Sequence, residues 1–227
     1  ANGLIRRFDK NPTAAIDIII AENLRNAAEY FETELLKVLP ATYPFHQLVG
    51  LVETSIGKMV PIMQQKDLQD DILQVFAEPY NTLILDRKAF KNPIPEIEGL
   101  APKENMKAWV DRKLFIHNLG HAAAAYLGHL HSPQMINLYE VLEIPEIFFD
   151  VRAIMQQAAQ VLIKKYPSEF NEGSMNEHIN DLLKRFMNKA LGDTIFRVGC
   201  DLHRKLGPDD RLTGAIKLAV DMNLSYD

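Results

Sequence analysis

The stretch Asp111–Leu130, "DRKLFIHNLGHAAAAYLGHL", decides how the rest of the chain is read. Its background of Leu, Ala and Gly, without proline, is that of a buried helix. Into this background it sets Lys113, His117, Asn118 and His121. On a regular helix at about 100° per residue, with Lys113 at zero, His117 falls near 40°, His121 near 80° and Asn118 near 140°. The polar groups therefore form one arc, with Ile116, Leu119 and Ala122 on the other side. Three readings stand together here. One is a partly exposed polar stripe with hydrogen-bonded core histidines. The second is a metal site, since His117 and His121 stand at i, i+4, although no HExxH pattern accompanies them and the Lys113 cation opposes a dication. The third is a catalytic pocket, in which a desolvated lysine acts as a base beside an amide and an imidazole that orient an oxygen.

Working outward, the chain from about residue 102 reads as helix after helix. Pro102 suits a helix start and Gly128 a helix end. "SPQM" at 132–135 and "SMNE" at 174–177 read as N-caps, the second as a capping box of Ser174 and Glu177. Between them "IPEIFFDVRAIMQQAAQVLIKKY" predicts one long amphipathic helix. The other direction differs. "AAIDIII" at 14–20 predicts a strand buried on both faces, as in a parallel sheet, followed by a helix that stops before Pro40. A second strand is predicted near 47–60, and 68–86 offers one or two more, with Pro79 confined to an edge or bend. A buried parallel strand needs neighbours on both sides, and the sequence after residue 87 offers almost none. The expectation is a mainly α fold: a mostly helical domain over 66–227, preceded over 1–65 by a few strands left from an α/β domain. The chain then reads as a fragment of a larger protein.

Bulk properties narrow the function. The 227 residues are 47% apolar and 24% charged, which is globular composition. A formal charge of −5 argues against a general nucleic-acid or anionic-membrane binder, yet allows one local basic pocket. The single Cys200 excludes an intrachain disulfide and a Cys-based zinc site, and fits the cytoplasm. No apolar run reaches membrane-spanning length.

The motif Lys113-x4-Asn118-x2-His121, written "KLFIHNLGH" and followed by "AYLG" at 125–128, resembles the signature of the mannitol-dehydrogenase-like long-chain polyol dehydrogenases. Two further segments agree in order: "IIIAENL" at 18–24 and "RVGCDLHRKLGPDDRL" at 197–212. Within that family the chain most resembles mannitol-1-phosphate 5-dehydrogenases. The resemblance implies a dinucleotide-binding α/β (Rossmann) domain followed by a helical one. It fits the lack of any G-x-G among the eleven glycines, so that most of the NAD site is expected upstream. It further implies that Lys113 is the acid–base, with Asn118 and Asn23 as oxyanion donors and Asn23 also toward the cofactor. His121 positions the substrate hydroxyl or the lysine, and Arg197 and Lys205 bind substrate oxygens. No metal is expected, His117 is expected in packing or support, and Asp111 is read as a helix-surface charge, with a proton relay as the alternative. A monomer is the family tendency.

One departure bears on substrate. Gly57 and Lys58, in "IGKMVP", stand where the family commonly has Asp and Arg. The expected reaction is an NAD-dependent interconversion of mannitol 1-phosphate and fructose 6-phosphate, by a chain that is silent as a fragment. The alternatives are a hexuronate reductase of the same superfamily and a non-catalytic helical binding module.

Overall fold

The computed structural model describes residues 1–22 and 24–225. The chain divides into two compact units, Ala1–Gly57 with Asn81–Val110, and Lys58–Tyr80 with Asp111–Asp227. Residues 81–110 thus belong with the first unit and 58–65 with the second, a division that no single cut at residue 65 reproduces.

The first unit contains α1 (Asn2–Lys10), β1 (Ile16–Ile20), α2 (Ala27–Leu36), α3 (Phe45–Leu48), β2 (Val49–Ile56), β3 (Leu83–Asp86) and β4 (Leu100–Lys103). The sheet order is β1-β2-β3-β4. β1 runs parallel to β2, β2 antiparallel to β3, and β3 parallel to β4. Within this chain β1 pairs with β2, and its residues differ in burial, with Ile20 4% exposed and Ile19 46% exposed. The core beneath it gathers Leu4, Ala27, Phe45, Val49 and Leu51. Asp17 of β1 holds the 91–92 turn, accepting from the backbone N–H of Lys91 at 2.7 Å and from Asn92 Nδ2 at 2.7 Å. Gly50 makes this possible, because a Cβ there would lie 2.2 Å from Asp17 Oδ1 and 2.4 Å from the Ala89 carbonyl. Pro102 lies in β4, paired with Leu85, rather than at a helix start. β4 ends the order of this sheet within the chain, and a strand at an end tolerates a residue without an N–H.

The chain enters the second unit within α4 (Met106–Arg112), and continues through a π-helical turn (Lys113–Asn118) into α5 (Leu119–His131). Then follow α6 (Leu138–Leu142), α7 (Pro145–Lys165), α8 (Glu172–Phe186), α9 (Ile195–Gly199), α10 (Leu202–Lys205) and α11 (Thr213–Asp221). α5 packs against α6, α7 and α9 through its buried run Ala122–Ala125. Gly128 does not end this helix. It is buried in it, where a Cβ would meet the Val141 methyls at 2.4 and 2.8 Å. Gly120 plays the same part against Met155, at 2.5 Å from Sδ. The two sites differ in what can yield. Met155 is unbranched and adaptable, whereas Val141 is stiff at χ1. Gly128→Ala is therefore expected to cost about 2 kcal/mol and Gly120→Ala less, read from urea unfolding midpoints; equal costs would count against this packing.

The caps also differ from those predicted. α6 and α8 start from Asn137 and Asn171, each in a capping box, with Glu140 and Ser174 as the returning partners. Ser174 thus sits inside the first turn of α8, and Ser132 closes α5 rather than opening a helix. An Asn side chain satisfies the free N–H groups of a first turn as well as Ser does.

Segment 58–80 is mostly irregular and is tied down at Glu78. The Met59 N–H donates to Glu78 Oε1 at 2.6 Å, and the Glu78 N–H donates to the Met59 carbonyl at 3.3 Å. Arg185 of α8 donates to both Glu78 oxygens, Nε to Oε2 at 2.8 Å and Nη2 to Oε1. The guanidinium also lies over the Tyr80 ring.

Candidate active site

The local backbone over Lys113–Asn118 is the first determinant of the site. Its wider, i→i+5 turn brings residues five apart closer in direction, so Lys113 and Asn118 face more nearly the same way. A regular helix would splay them by about 140°. The π turn therefore gathers an amine and an amide that periodicity alone separates.

Lys113 is half-buried. Burial, and then the nearby Arg211 cation, lower its pKa to about 8. Arg211 precedes α11 and is held by Asp210, whose Oδ1 accepts from Nε at 2.8 Å. The same turn presses on the π segment: a Cβ on Gly214 would lie 3.2 Å from the Phe115 ring.

His121 follows on α5, its ring stacked on Phe186 at 4.6 Å and 11°. Nε2 lies 3.1 Å from Asp193 Oδ2, yet this buried nitrogen makes no aligned hydrogen bond. The pair is in contact, with donor and acceptor out of line. Burial, then Arg197, Arg211 and Lys205, lower the His121 pKa to about 3, so the ring is neutral at physiological pH. His117 is buried one turn before it, 5.5 Å from Phe186, and burial likewise holds it neutral, followed by His121 and Arg185.

Arg197 of α9 pairs with Asp193 and reaches the Val60 carbonyl at 3.5 Å. Lys205 is buried, with Nζ donating to the Val198 carbonyl, and burial followed by Arg211 lowers its pKa. Arg211 thus acts electrostatically on Lys113, His121 and Lys205, and Arg197 and Lys205 act on His121. Asn118 shares the π turn with Lys113, and Asn23 lies outside the described residues.

Asp111 corrects the surface-charge reading. It is fully buried, accepting from Tyr166 Oη at 2.7 Å and from Lys165 Nζ at 3.1 Å, and it braces α4 against α7. Three residues join the site that sequence reading left unassigned: Phe186, Asp193 and Arg211. Asp193 stands four residues before Arg197, a spacing that on a helix end signals an ion pair. Phe186 carries no local signal, because its stack on His121 joins distant parts of the chain.

Chemically, the segment offers an amine that changes protonation near neutral pH, an amide on the same π turn, a neutral imidazole on the helix that follows, and cations suited to an anionic group on a substrate. Among the described residues no group of three or more His, Cys, Asp or Glu side chains is placed to hold a metal ion. No described helix is long and apolar enough to cross a membrane.

Comparison with known proteins gives the family and the fold. Residues 105–227 match the family model of the mannitol dehydrogenase C-terminal domain. Among solved structures, D-sorbitol dehydrogenase in substrate-free form is similar over 98% of this chain and 47% of its own, with 18% identity and a TM-score of 0.74. Pseudomonas fluorescens mannitol 2-dehydrogenase, solved as a ternary complex with NAD and D-mannitol, is similar over 97% of this chain and 46% of its own, with 19% identity and a TM-score of 0.68. The chain therefore spans about half the length of these structures, and at such identities the likeness is one of fold.

Proposed function

Because this chain belongs to the mannitol dehydrogenase family through its C-terminal domain, we propose that it works in an NAD-dependent oxidoreductase interconverting a sugar alcohol and a ketose. The proposed pair is mannitol 1-phosphate and fructose 6-phosphate. The observation that carries the reading is Lys113, an amine brought to about 8 by burial and then by the nearby Arg211 cation. Oxidising a secondary alcohol removes a hydride from carbon and a proton from oxygen. The nicotinamide, when bound, supplies the hydride acceptor. For such a cofactor the described residues offer the carboxyl end of β1 at Ile20, where open α/β sheets take ligands. Asn23, just beyond it, is proposed on the resemblance alone as an oxyanion donor and cofactor contact.

The protein's own part is proton handling. Neutral Lys113 takes the hydroxyl proton, Asn118 donates its amide N–H to the oxygen, and His121 orients the hydroxyl. In the reverse direction the Lys113 ammonium returns the proton to the ketose oxygen. Arg197 and Lys205 hold the phosphate, as a fork and a point charge. The mechanism routes no step through a metal. A hexuronate is the second reading, because the same cations suit a carboxylate and Gly57 with Lys58 alter the end of β2.

The pH dependence follows with a definite sign. Alcohol oxidation needs Lys113 deprotonated, so kcat/KM should rise with pH and level off above about 8. Ketose reduction needs it protonated and should fall over the same range. A limb near the ordinary histidine value in either direction would contradict the neutral His121 described here. The substrate test is NADH oxidation by the full-length protein with fructose 6-phosphate, fructose and a hexuronate, with chelator present. Preference for the phosphorylated ketose that survives chelation supports the proposal. Preference for the hexuronate replaces the substrate, and no turnover with any of them removes the enzyme reading.

A further inference from the structure

We infer that Asp193 is a positioning residue that fixes the proton of His121 on Nε2 and so presents Nδ1 to the substrate as a hydrogen-bond acceptor. Its consequence for catalysis rests on the oxidoreductase reading above, but its structural content does not. A carboxylate only accepts, so across the 3.1 Å between Nε2 and Asp193 Oδ2 a proton on Nε2 is the arrangement that keeps two lone pairs from facing each other, although donor and acceptor are out of line here. With the proton on the other nitrogen, two lone pairs would face each other in a buried place, an arrangement that proteins avoid. The ring cannot easily turn away, because its face lies flat on Phe186. The imidazole is neutral, so the contact selects a tautomer rather than forming a salt bridge.

The carboxylate is itself fixed from several directions. Gly192 takes a positive φ of 60° and turns the chain into Asp193. The Asp193 carbonyl accepts from the Leu138 N–H at 2.9 Å, and the Ile195 N–H donates to the Ile136 carbonyl at 2.9 Å. Thr194 Oγ1 caps α9 by accepting from the Arg197 N–H at 3.1 Å. The other carboxylate oxygen pairs with the Arg197 guanidinium. Segment 192–197 is thus pinned to the start of α6 while its one acid faces two side chains of the proposed site. The rival role is narrower: Asp193 would only neutralise Arg197, and His121 would be indifferent to it.

Two measurements separate these roles. In ¹⁵N-resolved NMR, the wild-type protein is expected to show His121 Nε2–H in slow exchange, retained in Asp193→Glu and lost in Asp193→Ala whose amide spectrum stays dispersed. A wild type that carries the proton on Nδ1 overturns the inference whether or not any variant folds, as does an Nε2–H signal unchanged in Asp193→Ala. In the full-length enzyme, Asp193→Asn is expected to lower kcat about 10- to 100-fold, the range seen when an outer partner of a working histidine is removed. That loss should persist in an Arg197→Gln background and shrink below about threefold in a His121→Ala background, as residues acting through one another require. Disappearance in the Arg197→Gln background leaves only the rival role. A wild type without turnover fails the oxidoreductase reading and leaves the NMR test standing.

Discussion

Lys113→Ala in the full-length protein is expected to lower kcat about 10³-fold in both directions, with a much smaller change in KM for the ketose. General acid–base groups contribute about 10²–10⁴ to rate, and this one has the position for it. Its amine is held near a pKa of 8, so at neutral pH both protonation states are populated. An exposed lysine, with its pKa near 10.4, would be almost entirely protonated and a poor base. Lys113→Arg should not restore the rate, because a guanidinium does not deprotonate in this range. A small primary amine added to Lys113→Ala should recover part of it, with the recovery rising as the amine is deprotonated. Initial rates of NADH formation and consumption measure all three. A variant that keeps more than about a tenth of the wild-type kcat would remove Lys113 from the acid–base role. An equal loss in Lys113→Ala and Arg211→Ala would instead put the weight on the cationic field.

Much of this site was legible in the sequence, and the parts that were not have definite causes. Lys113, Asn118 and His121 announce themselves as polar residues in an apolar helix, and the motif they form resembles one family. What periodicity misplaced was their relative direction. A count at the α-helical period puts Asn118 far from Lys113, and the wider turn over Lys113–Asn118 brings their directions closer. Asp111 was misread for a related reason. Its partners, Tyr166 and Lys165, lie on α7, so its local context looks like a helix surface. The Phe186 stack and the Asp193 contact likewise depend on tertiary pairing that no local pattern carries. In the first unit, the strand character of β1 was plain from its isoleucines. Its pairing with β2 depends on tertiary order that no local pattern carries, and so does the pairing of β3 with β4, a short strand containing Pro102.

Removing the carboxylate of Glu78 is expected to be the most damaging single change to the second unit. Glu78→Ala should cost about 3 kcal/mol, seen as a fall of about 10 °C in Tm. The ion pair with Arg185 is enclosed, with side-chain exposures of 2% for Glu78 and 10% for Arg185. Two charges taken this far out of water are not strongly stabilising as a pair. The cost arises when one is removed and the other remains. Arg185 would lose its enclosed carboxylate partner and keep Asp181, which is 52% exposed and 3.2 Å away. The Met59 N–H would also lose its acceptor, releasing segment 58–80 where the chain holds it. Glu78→Gln preserves an acceptor for Met59 and should fall between wild type and Glu78→Ala. Asp181→Ala breaks a solvent-facing i, i+4 pair and should cost less than about 1 kcal/mol. If Glu78→Ala and Asp181→Ala shift Tm equally, burial is not what makes this pair matter. The damage should also reach the site, because the stranded Arg185 charge faces His117. Thermal unfolding and the pH profile of kcat/KM therefore respond together to Glu78→Ala, whereas Asp181→Ala leaves both nearly unchanged.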